Sequence, residues 1–519
     1  MLKKIRLDDE SDNAVLNVIM DTLKIGKQAL VFVNSKKSAE KTAEEISKKI
    51  KYNNELLEKL ADDALNVLSR PTKQCERLAF CLKNGIAFHH AGLTQKQKQI
   101  IEDNFRSGAI KIICSTPTLA YGVDTPAFRA IIKDLKRYTL QGLTWIPVLD
   151  YMQMSGRAGR PNYDNEGQAI AIASTKSEKE KIEERYLNGS PEEIYSKLAV
   201  EPVLRTYVLS LIAANFTTTK KLLFDFFDKT FYAHQFKDLR RLHSTINKVI
   251  DLLEEWEFLM RSGNDFSSAN EMEDEKFKPT LIGKRVAELY IDPLTAHFII
   301  TCMRNASDKR LSAFSFLQMV SHTLEIRPLL KVGIREHDKI QEALLESSDF
   351  LLENEPSMYE PEYDDFLNSV KTSLMLNHWI NEQDEEFLLE DFNIRPGELK
   401  AKLDIADWLL YSAEEICKIL HYQYLIKEII KLRLRLRYGV KDELLPLIRL
   451  ENIGRVRARM LFRNRIRDVK DIKSADMSTL TQILGEKTAL GVKKQLGQEQ
   501  IEVPENKRKG QISLKDWEE

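Results

Sequence analysis

The first ~185 residues alternate short apolar bursts with amphipathic helical stretches, and this alternation constrains the fold more than any other feature. Helical patterns separate several of the bursts, as at Lys37–Ile50 and Thr94–Gly108. Strand–helix–strand repeats connect by right-handed crossovers and build a parallel sheet. The chain is therefore predicted to begin with an α/β domain. Its predicted strands are Ala29–Val33, Gly85–Ala91, Ile110–Thr116, Ala130–Leu135 and Gln168–Ser174.

Beyond Ser174 the strand signal fades, and the chain is predicted to be helical to about Gln500. One polar interruption, Arg261–Thr280, follows helices and precedes another, which is typical of the wing of a winged-helix domain. A later helix is predicted to begin at Pro396, because proline suits the first helical turn, where its missing N–H is not needed. The polar tail after Glu502 is expected to be flexible.

Composition narrows the class of protein. A chain of 519 residues can hold three or four domains, and its net charge of −1 gives no chain-wide attraction to nucleic acid. Lys431–Lys470, however, has thirteen basic against four acidic residues. The five scattered cysteines fit no zinc pattern, and His89 and His90 lack further ligands at a suitable spacing, so no metal site is predicted. No apolar run approaches the ~18 residues needed to span a bilayer, and the first residues lack the apolar core of a signal peptide, so we expect a cytoplasmic protein with no membrane partner.

The segment QMSGRAGRP, residues 153–161, suggests phosphate binding. Arg157 and Arg160 offer planar, permanently charged forks that bind phosphate oxygens bidentately, and the glycines allow close approach of the backbone. Three positions apart, the two side chains would point to one side of a helical turn. The alternative is a basic turn paired with surface carboxylates.

Further motifs lie upstream. Residues 114–132, CSTPTLAYGVDTPAFRAII, follow a predicted strand, and ligand loops of α/β sheets lie at the carboxyl ends of strands. Hydroxyls and a carboxylate there can hydrogen-bond phosphate or ribose. Two earlier motifs are AFHHAGLTQKQKQIIEDNFRSGAIK at 87–111 and ALVFVNSKKSAEKTA at 29–43.

These four motifs, in this order and spacing, resemble the second RecA-like domain of superfamily two helicases, most closely the archaeal HelQ/Hjm-type DNA-repair helicases. The resemblance runs from the first residues to about Gly497. It implies that the arginines of motif VI reach the γ-phosphate of ATP bound with Mg²⁺, across a domain cleft. The residues it assigns are Gln153, Arg157 and Arg160 in motif VI, Thr116, Thr118, Gly122 and Asp124 in motif V, and Asn34 and Ser35 near DNA in motif IV. Asp124 stands where the family often has asparagine, and it can accept but not donate hydrogen bonds.

A phosphate-binding loop of this class needs the pattern G-x-x-x-x-G-K-[ST]. The only Gly-Lys pairs, at Gly26 and Gly283, do not fit it, and no predicted strand ends in an Asp-Glu pair for Mg²⁺. The first RecA-like domain, with Walker A and Walker B, is therefore expected to lie outside this chain. Either a separate polypeptide supplies it, or the chain is part of a longer protein.

Aromatic residues are the candidate DNA contacts. A β-hairpin is predicted around Gln141–Gly142, and in the resembled family a hairpin here wedges the duplex apart, which would make Tyr138 or Trp145 stack on the last base pair. The alternative is that both rings pack on the sheet. Trp408 is on an apolar helix, where a core role is common, but the family's ratchet helix uses such a tryptophan to stack between bases. The family usually has a basic residue seven positions earlier, and here Lys400 and Lys402 flank Ala401.

The basic segment contains LIRLENIGRVRARMLF, residues 447–462, which resembles a helix–hairpin–helix that binds DNA phosphate. Asn452 stands where the hairpin usually has glycine, and asparagine tolerates left-handed backbone. The alternative is a solvated pair of basic helices. The predicted contacts are Gly454, Arg455, Arg457 and Arg459.

The end of the chain, KGQISLKDWEE, resembles a box that binds the sliding clamp PCNA. Gln511, Leu514 and Trp517 have the right spacing, but Glu518 replaces the second aromatic residue, and a polar tail yields such matches by chance.

The predicted architecture is a multidomain chain: a RecA-like α/β domain (1–185), a winged helix (186–290), a helical ratchet domain (291–425), a helix–hairpin–helix domain (426–500) and a tail (501–519). The resemblance implies the C-terminal part of an ATP-dependent 3′–5′ helicase that unwinds forked or gapped DNA in repair and replication restart. It would bind single-stranded and forked DNA and need a partner with the first RecA-like domain. The alternatives are a non-catalytic DNA-binding protein and a relative of RNA helicases.

Overall fold

The computed structural model describes residues 11–52, 54–122, 125–139, 142–160, 164–198, 200–262 and 276–497. The chain divides into two compact units. The first comprises Met1–Glu254, Arg261–Lys278 and Asp384–Lys402, and the second comprises Glu255–Met260, Pro279–Gln383 and Leu403–Glu519.

A five-stranded sheet organises the first unit. All its strands are parallel, in the order β2-β3-β1-β4-β7, and a separate antiparallel hairpin is formed by β5 and β6. The strands are β1 (Ala29–Phe32), β2 (Ile86–His89), β3 (Ile112–Ser115), β4 (Arg129–Ile132), β5 (Lys136–Thr139), β6 (Gly142–Trp145) and β7 (Gln168–Ala171). The helices are α1 (Ala14–Lys24), α2 (Lys36–Lys49), α3 (Glu55–Leu65), α4 (Lys73–Leu82), α5 (Gln95–Arg106), α6 (Val148–Ser155) and α7 (Lys176–Ile182). The predicted parallel sheet is confirmed, with all five strands in place.

The local sequence explains these elements. Strands β1 to β4 are buried along their whole length, as expected for a parallel sheet covered on both faces. Phe32, Phe88 and Phe105 fill the core beneath the helices. Helix α5 begins with a capping box in which Thr94 and Gln97 satisfy each other's backbone N–H groups, so the polar TQKQ sequence starts a helix.

The rest of the described chain is mostly helical. Strands β8 and β9 pair into a small sheet on either side of residues 263–275, at the position of the predicted wing. The elements are α8 (Glu201–Ala213), α9 (Lys220–Phe227), α10 (Phe231–Phe236), α11 (Leu239–Glu255), β8 (Leu259–Ser262), β9 (Lys276–Pro279), α12 (Leu281–Leu289), α13 (Pro293–Asn305), α14 (Ala313–Ser321), α15 (His337–Ser347), α16 (Tyr363–Ile380), α17 (Glu385–Phe392), α18 (Pro396–Ile419), α19 (Gln423–Tyr438), α20 (Arg455–Arg463), α21 (Val469–Ser474), α22 (Met477–Leu484) and α23 (Glu486–Gln495).

Two features bear on the predicted boundaries. Helix α18 begins at Pro396, as the sequence predicts. Helix α19 runs through the predicted boundary at residue 425, and the buried cluster of the terminal helices begins at Val440. The winged-helix and helix–hairpin–helix assignments stay predictions.

Among the described residues no single helix is long and apolar enough to cross a membrane. One pair, Leu281–Leu289 with Pro293–Asp308, meets the length and hydropathy criteria only when taken together, and it is bent by 119°.

Candidate nucleotide and nucleic-acid interfaces

The two arginines of motif VI do not share a helical turn. Helix α6 ends at Ser155, and the backbone turns at Gly159, where φ is +94°. A Cβ on Gly167 would lie 2.4 Å from the Gly159 nitrogen, so glycine is required where the two segments pass. The expectation of a common helical face is therefore wrong, because the arginines follow the helix and have different partners.

Arg157 joins motif VI to motif V. Its Nε donates to the carbonyl oxygen of Ala120 at 3.2 Å, and its Nη2 donates to the same oxygen. Thr116 and Thr118 of motif V share a hydroxyl–hydroxyl hydrogen bond of 2.8 Å. The structure thus brings these two distant motifs together. Gln153 is exposed on α6.

The guanidinium of Arg160 donates three hydrogen bonds, to two side chains. Its Nε donates to Asp164 Oδ2 at 2.7 Å, its Nη2 to Asp164 Oδ1 at 3.2 Å, and its Nη1 to Gln28 Oε1 at 2.8 Å. Gln28 is itself fixed, because its Nε2 donates to the carbonyl oxygens of Phe105 and Ile110, both at 2.7 Å. The guanidinium is therefore held by its own loop, through Asp164, and by Gln28 just before β1.

Asp164 is the carboxylate that orients Arg160. Its side chain is 1% exposed, and Lys27 Nζ lies 2.6 Å from its Oδ1. The hydrogen bond from Arg160 holds the pKa of Asp164 down at about 2, with help from Lys27 and against burial, which raises it. Sequence reasoning missed Asp164, Gln28 and Lys27. The spacing of Arg160 and Asp164, four residues, was the only available signal.

Motif V borders an open cavity of about 370 Å³ that includes Thr118 and Gly122. Gly122 has φ +75°, a left-handed conformation that favours glycine. The cavity also exposes cationic and acidic groups of α5, at Lys98, Glu102 and Arg106. Asp124 lies outside the described residues.

The motif IV residues serve the local structure. The backbone N–H of Asn34 donates to Asp134 Oδ2 at 3.1 Å, and its side-chain Nδ2 donates to the carbonyl oxygen of Lys136 at 3.1 Å. Ser35 caps α2 by accepting from the Ser38 N–H at 3.1 Å. Asn34 therefore ties β1 to the base of the hairpin, while both side chains remain on the exposed surface.

The predicted hairpin is present, and its two aromatic residues differ. Strands β5 and β6 pair with Tyr138 opposite Leu143 and Lys136 opposite Trp145. Tyr138 is 83% exposed, so its ring can meet a base. Trp145 packs on the core, with Lys136 Nζ 4.4 Å from its ring centroid and Tyr186 edge-on at 6.2 Å. A stacking role for Trp145 is disfavoured, because Lys136 lies over its ring and Tyr186 packs against it.

Helix α18 places its predicted residues in different environments. Trp408 is half-buried, and its Nε1 donates to the carbonyl oxygen of Leu289 at 3.1 Å. Lys400 is exposed. Lys402 is only 9% exposed, and burial lowers its pKa. Lys402 is therefore not accessible for a phosphate contact, which corrects the prediction.

The terminal basic segment contains the predicted tight turn. Asn452 has φ +64°, as its place in the motif requires, and Gly454 is the N-cap residue of α20. Arg457 is exposed and donates to the carbonyl oxygen of Asn452 at 2.8 Å. Of the three predicted arginines, Arg457 is the one on the surface.

Arg455 and Arg459 turn inward, which sequence reasoning did not predict. Arg459 Nε donates to Glu382 Oε2 at 2.7 Å. Arg455 donates to the carbonyl oxygen of Gln383 at 2.6 Å and lies 4.9 Å from the centroid of the Trp379 ring. Burial raises the pKa of Glu382, but the bond from Arg459 outweighs it and holds the pKa below its usual range.

Other cations of this segment are exposed and were not singled out: Lys441, Arg449, Arg463, Arg465, Arg467 and Lys470. Among the described residues no group of His, Cys, Asp and Glu could hold a metal ion. The clamp-box residues Gln511, Leu514 and Trp517 lie outside the described residues.

Comparison with known proteins identifies the family. The model of the helicase conserved C-terminal domain matches residues 48–162, and that of archaeal helicase domain 4 matches residues 314–439. The chain is 39% identical over 511 residues to the ATP-dependent DNA helicase Hel308 of Pyrococcus abyssi, covering 97% of this chain and 68% of the relative. The chain belongs to the Hel308 helicase family.

Other Hel308 proteins agree. That of Pyrococcus horikoshii is 38% identical with the same coverage, and that of Methanococcus vannielii is 37% identical, covering 89% of this chain and 65% of the relative. The parallel sheet and the mostly helical remainder fit a multidomain superfamily two helicase. About a third of each Hel308 relative lies outside the match.

Proposed function

We propose that this chain is the part of an ATP-driven DNA helicase that carries the motif VI arginines and the DNA-tracking surfaces. The Walker A and Walker B elements come from polypeptide outside these 519 residues. The helicase moves 3′ to 5′ and unwinds forked or gapped DNA in repair and replication restart. The observation that carries the proposal is the joining of motif V to motif VI through Arg157 and Ala120, beside the oriented fork of Arg160.

The residues present fit one side of an ATP site. A positioned guanidinium neutralises charge on a transferring phosphoryl group, which is the chemistry that ATP and Mg²⁺ bring. Asp164 and Gln28 hold the Arg160 side chain in one orientation, so little entropy is lost when it binds phosphate. In this proposal the Mg²⁺ ligands belong, with Walker A and Walker B, to the polypeptide outside these 519 residues.

DNA contacts are assigned by exposure. Tyr138 at the hairpin stacks on the last base pair of a fork, and Lys400 and Arg457 contact phosphates. Trp408, which is half-buried, stacks on a base with the exposed part of its ring. Gly454, Thr116, Thr118, Asn34 and Ser35 contribute backbone or hydroxyl contacts. Motif V couples these to the nucleotide through Gly122 and Asp124.

The test is single-strand-stimulated ATP hydrolysis by the chain alone and together with a polypeptide that carries Walker A and Walker B. We expect turnover only from the combination. Arg157→Ala and Arg160→Ala should each reduce kcat by at least about 100-fold, because an arginine at the transferring phosphate contributes roughly 10³–10⁵. Arg335→Ala, which replaces an exposed arginine elsewhere, is the matched control. Turnover by the isolated chain would overturn the proposal.

A second candidate is a DNA-binding protein without catalysis, favoured by the exposed cations of the terminal helices. It predicts DNA binding with no ATP hydrolysis in any combination. The RNA-helicase alternative is weakened because the Hel308 relatives are named DNA helicases. We further propose that Gln511, Leu514 and Trp517 bind the sliding clamp PCNA, which a pull-down with a Leu514→Ala, Trp517→Ala control would test.

A further inference from the structure

A stretch of helical chain from late in the sequence packs with the sheet-bearing unit. Residues 384–402, which contain α17 and the start of α18, belong to the first unit, whereas the helices before and after belong to the second. Salt bridges join this stretch to the sheet domain. They are Arg70–Asp384 at 3.0 Å, Lys73–Glu386 at 3.7 Å, Lys73–Glu390 and Lys36–Glu398.

A buried ion cluster also joins this stretch to the sheet domain. The Glu40 side chain on α2 is 3% exposed, and its Oε1 accepts from Arg395 Nε at 3.0 Å and lies 3.1 Å from His90 Nε2. Arg77 binds its other oxygen. Burial raises the pKa of Glu40, but the bond with His90 and the charge of Arg395 outweigh it and hold the pKa at about 2. Glu40 is therefore a carboxylate with strictly placed partners.

The hydrogen bonds fix the state of His90. Its Nδ1 accepts from the Gly92 N–H at 3.1 Å, so the proton of the neutral ring is on Nε2, facing Glu40. Burial lowers the pKa of His90, which keeps the ring neutral. Both ring nitrogens of His90 and both carboxylate oxygens of Glu40 therefore have partners.

The backbones also touch. The Gly397 N–H donates to the Gly92 carbonyl oxygen at 3.0 Å. A Cβ on Gly397 would lie 2.2 Å from the Leu93 carbonyl oxygen, and one on Gly92 would lie 2.2 Å from Arg395 Cδ. The first turn of α18 therefore packs directly against the loop that follows β2.

A continuous set of contacts runs from motif VI to the place where α18 packs against the loop after β2. Arg157 donates a hydrogen bond to the Ala120 carbonyl oxygen. The segment 116–120 is in turn bonded to the end of β2, because the Thr116 N–H donates to the His89 carbonyl oxygen at 3.3 Å. His90 is the next residue and binds Glu40. Helix α18 then continues without a break to Ile419, and Trp408 is on the same helix, twelve residues after Pro396.

We infer that Glu40, His90 and Arg395, with Gly92 and Gly397, form a coupling joint in which Glu40 and Arg395 are positioning residues for strand separation. This inference rests on the proposed helicase function. The joint transmits displacement of the motif V and VI segments to α18 and so to Trp408. Buried ion pairs contribute little net stability, and we infer that this one instead specifies a single geometry, which a mechanical connection requires.

The experiment compares ATP hydrolysis with unwinding in the reconstituted helicase, on forked DNA with a 3′ tail. We expect Arg395→Gln to keep single-strand-stimulated ATP hydrolysis within about twofold of the unsubstituted protein. Unwinding should fall at least about fivefold, so the ATP consumed per base pair rises by the same factor. Circular dichroism and thermal melting establish that the variant is folded. Lys49→Met, at an exposed lysine in the last turn of α2, is the control and should change neither rate.

A second variant covers the case in which Arg395→Gln does not fold. Lys36→Met removes the partly exposed pair with Glu398 and should raise the ATP consumed per base pair about twofold. A folded Arg395→Gln with unchanged ATP per base pair, or with both rates reduced in parallel, would overturn the joint, as would an unchanged ratio in Lys36→Met. If the unsubstituted protein with its partner neither hydrolyses ATP nor unwinds DNA, the proposed function itself fails, and the joint falls with it.

Discussion

At the scale of single residues, the environment of a charged side chain decides its role more than its place in a motif. Arg157 and Arg160 belong to one nine-residue segment, yet one binds a backbone carbonyl and the other a buried carboxylate. A guanidinium fixed by Asp164 and Gln28 is presented in one orientation. Motif VI therefore depends on residues outside it.

Asp164 gives a prediction for pH dependence. Its folded pKa of about 2 lies below its ordinary value of 3.8, so its contribution to stability is complete above about pH 4 and is lost as the pH falls toward 2. Asp164→Asn should lower the free energy of unfolding at pH 7 by about 2 kcal/mol. Urea melts of both proteins at pH 7, 5, 4 and 3 would measure this, and the difference should shrink below pH 4.

The control is Asp103→Asn, at an exposed carboxylate paired with Arg106. Surface pairs contribute about 0–1 kcal/mol, so its effect should be small at every pH. An Asp164→Asn difference that stays constant from pH 7 to pH 3 would contradict the account of Asp164.

At the scale of elements, the sequence predicts the strands, helix starts and turns that depend on neighbouring residues. The apolar bursts give all five strands of the sheet, Pro396 marks the start of α18, and Asn452 has the left-handed backbone that its motif requires. It does not predict contacts between distant residues. Glu40 and Arg395 are 355 positions apart, and Arg459 finds Glu382 77 positions away, so no local spacing reveals either pair.

Helix α20 gives a prediction in which neighbouring arginines behave differently. Arg457→Ala should weaken DNA binding and reduce the dependence on salt by about one phosphate contact, because this side chain is exposed. Arg459→Ala should instead lower the free energy of unfolding by about 1–3 kcal/mol, because it removes charged hydrogen bonds to Glu382. Fluorescence anisotropy at several salt concentrations and urea melts separate the two effects. Equal effects of both variants on DNA affinity, with stability unchanged, would show that Arg459 also faces DNA.

At the scale of the whole molecule, basic and acidic residues are nearly equal in number, so the net charge is small although many charged side chains are present. The net charge is −1, and much of the basic segment Lys431–Lys470 is neutralised by carboxylates, such as Asp407 and Glu414 around Arg433 and Glu382 beside Arg459. Within this segment, the exposed cations that remain lie mostly beyond Lys441. The attraction to DNA is therefore expected to be local.

The isolated chain should bind single-stranded DNA through these few cations. Its affinity for DNA should fall as the salt concentration rises and should not depend on added ATP. Four phosphate contacts would raise Kd on the order of 50-fold between 50 and 200 mM salt. Mg·ATP should leave Kd unchanged, because we assign the triphosphate-binding loop to another polypeptide, and adding that polypeptide should make Kd respond to nucleotide. Fluorescence anisotropy with a labelled oligonucleotide measures Kd against salt concentration, against Mg·ATP, and against Mg·ATP with the added polypeptide. A response of the isolated chain to Mg·ATP would place a complete nucleotide site within it, whereas a Kd independent of salt would remove the exposed cations from the DNA interface.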